Sequence, residues 1–60
     1  MLKVGDIIEV MADKGEFTGM IVRGEVINVS PIVIRFFYNY VRHELTLSKD
    51  CKYKLLNNVG

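Results

Sequence analysis

Ile32-Val33-Ile34-Arg35-Phe36-Phe37-Tyr38-Asn39-Tyr40-Val41-Arg42 is the stretch on which the fold turns. Ile32, Ile34 and Phe36 alternate with Val33, Arg35 and Phe37, the two-residue period that sends successive side chains to opposite faces of a pleated strand. Branched and aromatic residues fill it, as a half-buried sheet surface favours. Asn39 is the expected hairpin position, and Tyr40-Val41-Arg42 opens the returning strand. Ser30-Pro31 closes whatever strand comes before, because proline cannot donate to a ladder.

Upstream, residues 20–29 are rich in branched side chains and long for one strand, so a bend is expected at Gly24, where a missing side chain makes it easiest. Residues 12–19 collect Asp13, Gly15 and Gly19 around Phe17 and read as an irregular loop, with Phe17 folding back onto the core. Residues 6–11 alternate, with Val4, Ile8 and Val10 on one face and Ile7, Glu9 and Met11 on the other. Downstream, residues 43–50 lack alternation and suit a 3₁₀ turn. Residues 52–56 alternate again as a short last strand, and residues 57–60 read as a frayed end. Five strands without a convincing helix fit one small, strongly bent barrel, with residues 1–60 as a single domain. The expected core is Val4, Ile8, Val10, Phe17, Val22, Val26, Ile32, Ile34, Phe36, Val41, Leu45, Leu47 and Leu55.

The chain has 60 residues, half of them hydrophobic, with eight Lys or Arg against seven Asp or Glu. That length permits one core, and a domain of this size buries only about 60 % of its unfolded surface. The single Cys51 excludes an internal disulfide. One thiol and one imidazole, Cys51 and His43, cannot build a closed zinc site, so neither metal nor cofactor is expected. Balanced charge argues against disorder and against a strongly basic nucleic-acid clamp. The longest internal uncharged stretch, residues 26–34, is far short of the ~20 residues that span a membrane. With no apolar leader and a lone thiol, the expected compartment is a reducing cytoplasm.

His43-Glu44 opens the zinc-protease pattern, but position 47 is Leu rather than the second His. Both residues are expected at the surface beside the 3₁₀ element. Lys52 could lower the Cys51 thiol pKa, though a small semi-buried thiol fits better without an orienting His or Asp. Asp6, Glu9, Asp13, Glu16, Glu25 and Glu44 stand on outward or loop positions, where solvation accounts for them. Gly15 and Gly19 precede neither Lys-Ser nor Lys-Thr, so no phosphate loop is present.

Gly5-Asp6-Ile7-Ile8-Glu9-Val10, then Gly15-Glu16-Phe17-Thr18-Gly19, then Gly24-Glu25-Val26 resembles the KOW motif and Tudor-type domains. Those families share an SH3-like barrel, and the resemblance covers roughly the first half of the chain. Residues 41–47 are similar to the closing strand and 3₁₀ turn of small uncharacterised SH3-like proteins of bacterial and prophage genomes. The implied architecture is all-β, a five-stranded SH3-like barrel with a 3₁₀ turn before the last strand. KOW domains that bind ribosomal RNA are much more basic than a net charge of +1.

Consecutive aromatics on a strand point to opposite faces, so Phe36 and Phe37 cannot both lie inside. By resemblance, the groove between the first loop and the β-hairpin at Asn39 is a recognition surface. Phe17, Phe37, Tyr38 and Tyr40 would converge there, with Arg35 and Arg42 adding charge-assisted contacts. The alternative is ordinary cross-strand packing. A second apolar surplus, Ile7, Met11, Ile21, Ile27, Val29 and Val33, lies opposite the assigned core and suggests a homodimer through strands carrying Ile21, Ile27 or Val33. The expected function is a non-catalytic binding or adaptor module for a protein partner or a second copy. Weak RNA or DNA binding through Arg23, Arg35, Arg42, Lys52 and Lys54, with Phe37 and Tyr38 stacking, is the alternative. Catalysis is the third reading.

Overall fold

A computed structural model describes residues 2–56, so the frayed end expected at residues 57–60 lies outside the described residues. The chain is all-β: β1 (Ile7–Met11), β2 (Ile21–Val29), β3 (Ile32–Tyr38), β4 (Val41–Thr46) and β5 (Tyr53–Leu55). They form one antiparallel sheet in the order β4-β3-β2-β1-β5. The sheet curls round its core as a small barrel-like meander but does not close, leaving β4 and β5 as edges.

The long β2 makes the curl possible. Its first half pairs with β1, from Met11↔Ile21 to Ile7↔Glu25, and its second half pairs with β3, from Glu25↔Arg35 to Val29↔Ile32. Gly24 sits at the handover, and a Cβ there would lie 2.8 Å from the Arg35 carbonyl oxygen and 3.2 Å from the Ile34 Cβ. Glycine is therefore required for close approach of β3. The register shift lies instead at Ile27, between the Val26↔Ile34 and Asn28↔Val33 pairs. This extra residue reverses the inside-outside phase, so Val29 shares a face with Ile32 rather than with the outward residues.

Buried side chains are Ile8, Val10, Ala12, Phe17, Val22, Val26, Ile34, Phe36, Leu45 and Leu47, with Leu2, Ile32 and Cys51 packed against them. Three expected core residues are exposed. Val4 stands in a turn in which Asp6 N–H donates to the Lys3 carbonyl and Gly5 takes φ +100°, so the alternation of β1 does not extend back to it. Val41 and Leu55 occupy the two edge strands, where nothing covers them among the described residues.

A three-residue 3₁₀ helix, Gly15–Phe17, lies in the first loop and turns Phe17 inward. Residues 43–46, expected in a 3₁₀ turn, continue β4. The segment after them closes a single turn in which Cys51 N–H donates to the Ser48 carbonyl. The β3–β4 loop contains only Asn39 and Tyr40, both with positive φ (52° and 66°), the backbone of a two-residue hairpin whose twist matches its strands. Tyr40 is thus a turn residue rather than the start of β4.

Candidate functional site

The two-residue hairpin fixes Tyr38 opposite Val41, Phe37 opposite Arg42, Phe36 opposite His43 and Arg35 opposite Glu44. Alternation then divides the six expected binding residues between two faces. Phe17 and Tyr38 lie on the inner side. Arg35, Phe37 and Arg42 lie on the outer side, and Tyr40 projects from the turn, 102 % exposed.

On the inner side Phe17 is the hub of a ring cluster. Its centroid lies 5.2 Å from Phe36, 5.3 Å from Tyr38 and 4.8 Å from His43, all edge-to-face. His43 stacks on Phe36 at 5.7 Å. Phe17 is 8 % exposed, which makes it a packing residue, and Tyr38 forms the rim at 42 %. His43 is half-buried against these rings rather than at the surface. The register of a two-residue hairpin would have placed it beside Phe36.

The outer face carries charges in cross-strand rows. Lys54, Glu9 and Arg23 run across β5, β1 and β2, while Ile7, Glu25, Arg35 and Glu44 run across β1, β2, β3 and β4. Arg23 Nε donates to Glu9 at 3.0 Å and Arg35 donates to Glu25 at 3.1 Å, so two of the arginines are already neutralised. Arg42 has no ion-pair partner among the described residues. Ile7, Gly24, Arg35, Phe37 and Arg42 line an open hollow in which Phe37, 71 % exposed, is the apolar wall.

Beyond the Glu25↔Arg35 pair the ladder between β2 and β3 ends although both strands continue. Residues 21–23 and 36–38 splay there and line a cleft leading from Phe37 to Tyr38. The six expected residues therefore do not make one surface, and the outer hollow with this cleft is the concave feature nearest to them.

The outward apolar residues also fail to form one patch. Ile21 sits exposed beside Met11 at one end of β2, whereas Ile27 and Val33 are half-buried near the other. Seven residues of extended chain, roughly 23 Å, separate Ile21 from Asn28, the partner of Val33. Arg23, Glu25 and Arg35 lie between.

Asp6, expected on an outward position, is 4 % exposed, with its carboxylate accepting the Lys3 N–H at 2.9 Å and its carbonyl accepting the Val26 N–H. It braces the entry into β1. Burial, followed by the Asp13 carboxylate, pushes the Cys51 thiol pKa up, the reverse of activation by Lys52. No three His, Cys, Asp or Glu side chains group as a metal site among the described residues, and no helix is long and apolar enough to cross a membrane. No protein-family model matches the chain, nor does any curated protein or solved structure.

Proposed function

We propose that this chain is a small non-catalytic binding module that docks a segment of a protein partner, apolar with an acidic residue, on the outer face around Phe37. The observation that supports it is a large ring left 71 % exposed beside a guanidinium, that of Arg42, with no carboxylate partner among the described residues. Aromatic and arginine side chains together are the composition of interface hot spots. The kinship with KOW- and Tudor-type domains belongs to this reading, supported by the five-stranded antiparallel order and by Phe17 turning inward from its glycine-flanked loop. A cytoplasmic setting belongs to it too, supported by a single cysteine, Cys51, left as a free thiol.

Weak nucleic-acid binding is the second reading, with Arg42, Lys52 and Lys54 as phosphate contacts and Phe37 as a stacking ring. Glu9 and Glu25 count against it, because they occupy Arg23 and Arg35 and place negative charge on the same face.

Panning a random peptide display library against the folded chain separates the two. The expected ligands combine apolar and acidic positions, and their binding shifts the amide resonances of Arg35, Phe37 and Arg42. Failure to select any ligand, together with binding of single-stranded RNA whose affinity falls steeply with salt, would favour the second reading.

A further inference from the structure

Among the described residues, the outer edge of β4 has no neighbouring strand. Leu47 N–H donates to the Ile32 carbonyl at 2.8 Å, and this sets the parity of the β3–β4 ladder. Val41, His43 and Leu45 turn their backbone groups towards β3, so Arg42, Glu44 and Thr46 direct N–H and C=O outwards, where no strand pairs with them among the described residues. We infer that β4 pairs antiparallel with β4 of a second copy about a two-fold axis, with Arg42 of each copy opposite Glu44 of the other.

Charge selects this register among those that parity allows. Outward-directed backbone groups must meet each other, so a two-fold pairing joins even-numbered residues to even-numbered residues. Centring on Arg42 sets two guanidinium groups face to face. Centring on Glu44 sets two carboxylates face to face. A shift one step further puts Glu44 against Thr46 and leaves Arg42 without a carboxylate.

Centring on His43 alone places Arg42 against Glu44 twice on the outer face, with reciprocal backbone hydrogen bonds between these residues. Neither side chain has an ion-pair partner within its own chain among the described residues, so both are available. The same register sets Val41, exposed in the single chain, against the partner's β4 on the inner face. A six-residue edge carrying one charge of each sign blocks most foreign strands while remaining complementary to itself. Arg42 also lines the hollow beside Phe37, so the two readings share its guanidinium, but the inference does not rest on the identity of any ligand there.

Sedimentation equilibrium over a concentration series tests it, with circular dichroism confirming that each variant is folded. The wild-type chain is expected to dimerise. Arg42→Glu and Glu44→Arg should each weaken self-association at least about tenfold, because each turns two attractions per dimer into two repulsions. An equimolar mixture of the two variants should form a heterodimer, and the double exchange within one chain should restore the homodimer. A wild-type chain that stays monomeric at millimolar concentration, a dimer insensitive to both single substitutions, or a mixture that fails to associate would overturn the inference.

Discussion

Phe17 and Phe37 are both aromatic and both adjoin the same hairpin, yet their truncation should have opposite consequences. Phe17 is nearly buried and meets three rings at centroid distances of 4.8 to 5.3 Å. Removing a buried Phe to Ala costs about 3–5 kcal/mol, the sum of lost transfer free energy and the cavity left behind. At roughly 0.05–0.15 kcal/mol per residue, a chain of 60 residues has only about 3–9 kcal/mol in all. Phe17→Ala should therefore leave a large unfolded fraction in water, and the milder Phe17→Leu should lower the urea midpoint measurably. Phe37→Ala removes a mostly solvated ring and should shift stability by no more than about 0.5 kcal/mol. Urea unfolding followed by far-ultraviolet circular dichroism reads all three variants. A Phe17→Ala midpoint equal to wild type, or a Phe37→Ala loss as large as that of Phe17, would refute the division of the aromatics into packing and exposed groups.

Gly24→Ala should destabilise by about 1–3 kcal/mol, against the usual gain from replacing glycine in a strand, because the new methyl meets the Arg35 carbonyl at 2.8 Å; chemical denaturation measures it. Asp6→Ala should cost about 1–3 kcal/mol by leaving the Lys3 N–H without its carboxylate acceptor, and Asp6→Asn should cost less because an amide oxygen can still accept. Cys51 should react with a disulfide reagent at pH 8 more slowly than an exposed thiol, and unfolding in urea should remove the difference. Its folded pKa lies above the unfolded one, so the stability it contributes is complete below the unfolded pKa and lost as pH rises through the folded value.

Alternation made Ile8, Val10, Val22, Val26, Ile34 and Phe36 legible as core, since each lies in a regular strand with one covered face. It failed where the cover fails, at Val41 and Leu55, because edge position is a property of topology rather than of local pattern. Gly24 was legible as special, but two backbone features look alike in sequence. Close approach needs a missing side chain at Gly24, while the bulge at Ile27 tolerates a branched one. The candidate site was only half legible. Alternation already separates Phe37 from Tyr38, so grouping them on one surface conflicted with the strand period. Placing His43 beside Phe36 needed the two-residue hairpin, and that rested on Tyr40 adopting a positive φ that its chemistry does not announce.

The claim of a recognition face around Phe37 is tested most directly by titrating a selected apolar-acidic peptide into wild-type and Phe37→Ala protein by calorimetry. A hot-spot ring predicts a loss of about 2 kcal/mol, close to thirtyfold in affinity, with the fold intact. Affinities within about twofold of each other would contradict it.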